Sequence, residues 1–250
     1  MGWEGPQDWQ AGAASALEWW REAGVDALIA EEPRDWLARP VPANVAAAIA
    51  ETAVVEKPPL PATLAEFDAW RVSDAAPDSG WSDKRIGAAG DPASGLMILI
   101  EMPEREDVEA GILLSGAPGR LFDRMLAAIG RDRGSVYLAA LCVARPVSGR
   151  VAPEMTDALA EIARHHVSLV APRRLLVIGN APSRALVWTD AVKARGGLHV
   201  INLTGPEASP GGEHATQAVA SFHPRFLLET PAAKAEAWKD LQMLIGGMES

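Results

Sequence analysis

The stretch Gly95–Leu126, GLMILIEMPEREDVEAGILLSGAPGRLFDRML, decides the fold of this chain. It begins with Leu96–Ile100, a continuous apolar run that is too short for an ordinary helix. Such a run is typical of a strand buried on both faces of a parallel sheet. Glu101 ends the run, and Pro103 prevents regular structure directly after it. Because open α/β sheets bind their ligands beyond the carboxyl ends of the strands, this stretch places a carboxylate where a site is expected.

Strand and helix patterns alternate from this stretch to the end of the chain, which predicts a parallel sheet with helices on both faces. The predicted fold is α/β, a three-layer α/β/α arrangement around a short central parallel sheet. Further strands are predicted over Ser135–Cys142, Arg174–Ile178, Leu198–Leu203 and Ala218–Phe222, and helices after Gly119 and over Pro153–Val170, Ser183–Arg195 and Ala232–Ile245.

The first part of the chain has a different character. Residues 1–60 are predicted to form a helical, tryptophan-rich appendage and a linker, ahead of an α/β domain over residues 61–250. Helical patterns cover residues 8–30 and 45–55, and Thr63 is predicted to cap a helix over Leu64–Trp70. Seven of the nine tryptophans precede residue 100. They are compatible with a base-stacking surface, but packing of the appendage against the main domain is favoured.

Composition restricts the compartment and the chemistry. No apolar run approaches the ~20 residues of a membrane span, and the N-terminus lacks the basic region of a secretory signal. The only cysteine is Cys142. A single cysteine excludes an internal disulfide and a cysteine-based metal cage, so a cytoplasmic protein without a metal or other cofactor is predicted.

The net charge of −10 is unevenly distributed. Residues 1–100 contain 16 Asp and Glu against 7 Lys and Arg, whereas residues 101–250 contain 17 against 16. An acidic protein is a poor bulk binder of nucleic acid, but the nearly neutral second part leaves room for a local basic face.

Glu101 and His223 are the predicted catalytic pair. Each follows a strand-like apolar run and precedes a proline-stiffened turn, so a carboxylate and an imidazole are expected at one edge of the sheet. Together they can perform acid–base or charge-stabilising work. Asn180 and the turn over residues 140–145 are expected at the same edge.

Other chemical motifs are weaker. His165 and His166 lack the spacing of a metal site, so a structural pair is favoured. The turn over residues 115–119 is compatible with a phosphate cradle at a helix start, and a plain helix-entry turn is equally compatible. Cys142 has no evident neighbouring base and is interpreted as a small core residue.

Several segments resemble motifs of the uracil-DNA glycosylase superfamily, and most of all those of its type 4, iron–sulfur branch. Ile100–Pro103 stands where that family has GE-x-PG, and Gly111–Leu126 is similar to its G.PFVG.AG.LLDRML motif. Val136–Arg150 resembles VYITN…KCRPP.NR, and Ser221–Leu241 resembles TYHP..LL..P..K…W.DL. The resemblance covers most of the chain in order and implies that family's fold.

The resemblance also implies an activity, the hydrolysis of the N-glycosidic bond of a deaminated base flipped out of DNA. By this resemblance Glu101 stabilises the oxocarbenium-like sugar or activates water, and His223 stabilises the charge on the departing base. The loop after His223 is implied to press into the minor groove, where apolar side chains help to unstack a base. Its residues are Pro224, Arg225, Phe226 and Leu227.

This chain departs from the family pattern around the base. Leu114 replaces the aromatic residue on which the base stacks, and Ala140 replaces the asparagine that reads the uracil edge. Ile100 and Glu104 replace two glycines of GE-x-PG, and are expected to crowd the site. Glu104 also adds negative charge beside DNA phosphate.

The cluster cysteines of the type 4 branch are absent as well. Ala144 and, by spacing, Leu159 occupy two of their positions, and residues 63–85 contain no cysteine. Two functions therefore compete. One is a divergent DNA glycosylase, and the other is a weakly active or inactive module that binds DNA or, through its N-terminal region, a protein. A monomer is predicted in either case.

Overall fold

The computed structural model describes residues 9–22, 59–201 and 215–246 of this chain. It divides the chain into two units, Met1–Lys57 and Pro58–Ser250. The first unit contains helix α1 (Trp9–Glu22), on which the side chains of Trp19 and Trp20 are exposed. The helix predicted over residues 45–55 and the loop predicted over 204–212 lie outside the described residues. None of the helices in the described part is long and apolar enough to cross a membrane.

The second unit is built on a sheet of six strands, whose order is β1-β3-β2-β4-β6-β5. Its four central strands are parallel, as predicted. The two edge strands run antiparallel to their neighbours, so the parallel part of the sheet is its centre. An edge strand has one neighbour only, and an antiparallel edge on a parallel sheet is common. The strands are β1 (Ala89–Gly90), β2 (Leu96–Ile100), β3 (Tyr137–Ala140), β4 (Arg174–Ile178), β5 (His199–Val200) and β6 (Gln217–Ser221).

Eight further helices are described in this unit: α2 (Leu64–Arg71), α3 (Arg105–Ala110), α4 (Gly116–Ala128), α5 (Thr156–Val170), α6 (Asn180–Val187), α7 (Ala191–Ala194), α8 (Pro224–Glu229) and α9 (Lys234–Ile245). Thr63 caps α2 as predicted, because its hydroxyl accepts a hydrogen bond from the Glu66 amide at 3.3 Å. The helix predicted over residues 183–195 is instead two helices. Trp188 ends α6 in a left-handed conformation with a φ of 60°, and the chain turns there.

Alternate residues of the central strands face opposite layers, which confirms the three-layer arrangement. Leu96, Ile98 and Ile100 pack in one apolar core with side chains of α4 and α9. Met97 and Leu99 point the other way, into a second core formed with α5 and α6. Because β2 is buried on both faces, Glu101 is held at the end of a rigid element.

Gly119, in the first turn of α4, is required by close packing. A Cβ at this position would lie 1.9 Å from the carbonyl oxygen of Leu114. Replacing glycine by alanine inside a helix usually stabilises it by about 1 kcal/mol. We expect Gly119→Ala to destabilise the protein instead, by about 1–3 kcal/mol, because the backbone has to move.

Urea unfolding of Gly119→Ala tests this expectation beside Gly80→Ala as a control. The added Cβ of Gly80→Ala meets nothing within 4 Å. A lower midpoint is expected for Gly119→Ala alone. An unchanged or higher midpoint for Gly119→Ala would contradict the described packing.

A buried ion pair between the end of α2 and the segment after it holds the backbone that follows β3 through hydrogen bonds. The side chains of Arg71 and Asp78 are 5% and 0% exposed and contact each other directly. Arg71 Nη2 donates a hydrogen bond of 2.7 Å to the Leu141 carbonyl oxygen, and the Val143 amide donates one of 2.8 Å to Asp78 Oδ2. The pair therefore fixes the backbone directly before Arg145.

Candidate active site at the carboxyl edge of the sheet

The carboxyl ends of β2, β4 and β6 enclose a cavity of about 270 Å³ that contains both members of the predicted catalytic pair. Glu101 follows β2, and His223 lies two residues beyond β6. Gly179 follows β4, the strand between them. It has no side chain, and a Cβ there would lie 3.5 Å from Glu101 Oε2. The glycine therefore leaves open the space that the carboxylate and the imidazole share.

Glu101 is half-buried, and its environment favours the protonated form more than water does. Desolvation is the main cause that raises the pKa of its carboxyl, and the nearby Glu104 carboxylate raises it further. Arg184 and Arg145 act in the opposite direction. The backbone is fixed by the Cys142 amide, which donates a hydrogen bond of 2.9 Å to the Glu101 carbonyl oxygen. The backbone of Glu101 is thus fixed, and its carboxylate is poorly solvated.

His223 is held as a neutral imidazole, and a hydrogen bond at one ring nitrogen determines its tautomer. Its Nδ1 accepts a hydrogen bond of 3.2 Å from the Arg225 amide and so caps α8. Burial and the Arg225 charge lower the pKa of His223 to about 4. Since Nδ1 is an acceptor, the single ring proton is on Nε2. The imidazole therefore offers the cavity one hydrogen-bond donor and no net charge at neutral pH.

The segment that carries His223 is anchored from α9. The buried Asp240 carboxylate accepts a hydrogen bond of 2.8 Å from the Ser221 hydroxyl and one of 2.8 Å from Arg195 Nε. The Arg195 guanidinium in turn lies 3.7 Å from the centre of the Phe222 ring. These contacts fix the two residues before His223 and thereby the position of the imidazole.

A second cavity, of about 480 Å³, lies on the other side of Glu101. Asn180 lines this second cavity and not the one that contains His223. It is the first residue of α6, and its Oδ1 accepts a hydrogen bond of 3.1 Å from the Ala191 amide. Among the described residues, each cavity is lined by two arginines, but the second has Glu101 as its one lining carboxylate, whereas Glu104 and Glu229 also line the first. The second cavity is therefore the more basic of the two.

The other predicted contact residues lie in different places. Leu114 and Ala140 are buried in the core, and the described residues that line the His223 cavity do not include them. Pro224 and Leu227 are also buried, whereas Arg225 and Phe226 are exposed and line the cavity. The segment after His223 is the helix α8 and not a loop, because proline at the first position and the His223 cap favour a helix.

Arg145 lines the His223 cavity and belongs to the turn over residues 140–145, which was expected at this edge. Five lining residues were not predicted to take part in a site: Met102, Gly149, Ile178, Gly179 and Glu229. The sequence does carry a signal for Gly179, because this glycine directly follows the apolar run of a buried strand; the structure gives it a φ of 103°. Gly149 lies in an irregular segment and Glu229 in a short helix, where no periodic pattern marks the face that lines the cavity.

The weaker motifs have structural roles. The His166 ring nitrogen lies 3.0 Å from the Tyr137 hydroxyl, and the His165 ring nitrogen lies 2.7 Å from the Pro61 carbonyl oxygen. The Asp107 carboxylate accepts hydrogen bonds from the amide and hydroxyl of Ser115, at 2.6 and 2.7 Å. The Asp107 carboxylate thus occupies the start of α4, where the phosphate cradle was considered. Cys142 is buried, and burial raises the pKa of its thiol.

Fold and site together define a class, an α/β protein with a carboxylate and a neutral histidine at one sheet edge. A family model, that of the uracil DNA glycosylase superfamily, matches residues 88–242. The chain belongs to this superfamily, as the motifs indicated.

Two curated relatives are similar over most of their length. A type-4 uracil-DNA glycosylase of Pyrobaculum aerophilum is 25% identical over 181 residues, which are 70% of this chain and 88% of the relative. A type-4 uracil-DNA glycosylase of Archaeoglobus fulgidus is 21% identical over 166 residues, which are 64% of this chain and 79% of the relative.

The resemblance to the type 4 branch implies an iron–sulfur cluster, but the residues of this chain do not fit one. Such a cluster is held by four cysteine thiolates, and the whole sequence contains one cysteine. Ala144 and Leu159, at two of the implied ligand positions, are apolar and fully buried. Within the described ranges no group of three or more His, Cys, Asp or Glu side chains is arranged to hold a metal ion.

Proposed function

We propose that this protein is a DNA glycosylase that hydrolyses the N-glycosidic bond of a deaminated base in DNA. The observation that carries the proposal is the cavity shared by Glu101 and His223, in which a carboxylate and a neutral N–H donor meet. Membership of the uracil-DNA glycosylase superfamily supports the same chemistry. The names of both relatives identify them as uracil-DNA glycosylases.

The two side chains have complementary roles in this reaction. Cleavage of the glycosidic bond leaves positive charge on the sugar and negative charge on the base. The Glu101 carboxylate stabilises the sugar cation or takes a proton from the attacking water. The Nε2–H of His223 donates a hydrogen bond to the departing base, and this bond strengthens as charge develops there.

The proposal is tested by incubating the protein with duplex oligonucleotides that contain uracil, hypoxanthine or xanthine and scoring abasic sites. Excision of at least one of these bases is expected. The result also separates the second candidate function, a DNA-binding module without efficient catalysis. That candidate is favoured by the burial of Leu114 and Ala140 away from the cavity. Binding of DNA without excision of any base would support it.

Excision is expected to fall on the acid side of neutrality as Glu101 becomes protonated. Because burial raises the pKa of Glu101, the midpoint of this fall is expected above 4.5. Arg184→Gln removes a charge that lowers this pKa, so the midpoint should move to higher pH. His223 has a pKa of about 4, so it stays neutral at pH values above the range in which excision falls.

Single-turnover rates measured against pH check this expectation, with Arg120→Gln on the exposed face of α4 as the matched control. Arg120→Gln should leave the midpoint in place. A midpoint below 4.5, or one that Arg184→Gln does not move, is incompatible with Glu101 as the titrating group.

A further inference from the structure

Three side chains from three different elements meet at the cavity that contains His223. Glu104 follows β2, Arg145 follows β3, and Arg225 is the second residue of α8. Glu104 Oε2 lies 3.2 Å from Arg145 Nη1 and 2.8 Å from Arg225 Nη2. One carboxylate oxygen therefore joins two cations across the cavity.

Glu104 Oε2 is buried, but it accepts no hydrogen bond from either arginine. The Glu104 side chain is 14% exposed, against 20% for Arg145 and 50% for Arg225. Neither contact has the angles of a hydrogen bond, although the Glu104 oxygen is buried. The attraction is therefore mainly Coulombic, and another anion can replace the carboxylate if it brings better geometry.

The backbone around Glu104 is held by a capping box with Asp107 at the start of α3. The Glu104 amide donates a hydrogen bond of 2.9 Å to Asp107 Oδ2, and Arg145 Nη1 donates one of 2.9 Å to the Pro103 carbonyl oxygen. These two hydrogen bonds do not involve the Glu104 carboxylate, so they continue to hold the segment when the side chain leaves the arginines.

We propose that Glu104 is an electrostatic gate, which occupies Arg145 and Arg225 until DNA phosphates displace it and a nucleotide enters the cavity. This inference rests on the proposed function, since DNA is the ligand that brings the phosphates. Guanidinium groups bind phosphate through paired, charge-assisted hydrogen bonds. The gate makes undamaged DNA bind weakly, because every encounter first has to break the contacts of Glu104.

The test is the affinity for an undamaged duplex oligonucleotide, measured at several salt concentrations. Glu104→Gln keeps the shape of the side chain and removes its charge. We expect it to bind about tenfold more tightly, because the two arginines become free for phosphate. The slope of log K against log salt should become steeper by up to about 1.8, at ~0.9 for each new phosphate contact.

Two further variants separate the gate from simple charge repulsion. Glu109→Gln removes the same charge from the exposed face of α3 and should change the affinity little. In the Arg225→Gln background, Glu104→Gln should gain clearly less affinity than in the wild type, since one of its two partners is gone.

An equal gain in both backgrounds, or equal effects of Glu104→Gln and Glu109→Gln, would overturn the gate. These measurements use DNA without a damaged base, so they do not depend on excision. A protein that excises nothing, but whose affinity responds as expected, disproves the proposed function and leaves the gate in place.

Discussion

Glu101→Gln is expected to reduce the single-turnover rate of base excision by about 10³-fold, within the range that positioned acid–base and charge-stabilising groups contribute. Glutamine keeps the size of the side chain but can neither neutralise the sugar cation nor accept a proton from water. The rate should be measured on a duplex with the base that the wild type excises fastest, with Glu109→Gln as the matched control.

Stability measurements distinguish this loss from unfolding. The pKa of Glu101 is raised in the folded protein, so the folded state disfavours its charge. A group with a raised pKa contributes stability below its unfolded value and loses that contribution as the pH rises. At neutral pH, Glu101→Gln should therefore unfold at the same urea concentration as the wild type or at a higher one. A rate within threefold of the wild type would show that another group supplies the charge.

Arg71→Met is expected to cause the largest loss of stability, about 3–5 kcal/mol, because it leaves the buried Asp78 carboxylate without its cation. Both side chains are almost completely inaccessible to solvent. The methionine fills part of the space but cannot donate to Asp78 or to the Leu141 carbonyl oxygen. The free energy of unfolding from urea titration measures the loss.

Lys239→Met is the control for this experiment. The Lys239 side chain is 66% exposed, and its partner Glu236 is 52% exposed. Exposed ion pairs contribute about 0–1 kcal/mol, so a small change is expected. Equal effects of the two substitutions would mean that the buried pair does not hold the segment before Arg145.

The pattern of the sequence predicted the elements that carry the site. The apolar run Leu96–Ile100 and its abrupt end at Glu101 are local features of the sequence. Such a run is typical of a strand that is buried on both faces of a parallel sheet, so the sequence was sufficient to predict β2. The same holds for the strand that leads to His223, although its helix α8 was taken for a loop. A short helix of this kind depends on one cap and one proline and has no periodic pattern.

The contacts between elements were not predictable in the same way. Glu104, Arg145 and Arg225 are far apart in the sequence, and their meeting depends on how three loops end at one edge of the sheet. The motifs also do not predict that Leu114 and Ala140 are buried in the core and away from the cavity. Tertiary packing sets the direction of the side chains at all of these positions. The periodicity of the sequence does not predict that packing.

The central claim is that Glu101 and His223 act on one glycosidic bond from one cavity. It is tested most directly by base release under single-turnover conditions from the wild type, Glu101→Gln, His223→Asn and the double variant. Asparagine is also a good helix cap, so His223→Asn removes the Nε2–H donor while α8 keeps a capping side chain. We predict release by the wild type, large losses in both single variants, and a double variant that loses less than the product of the two. No release by the wild type at high protein concentration, or release that survives in the double variant, would contradict the claim.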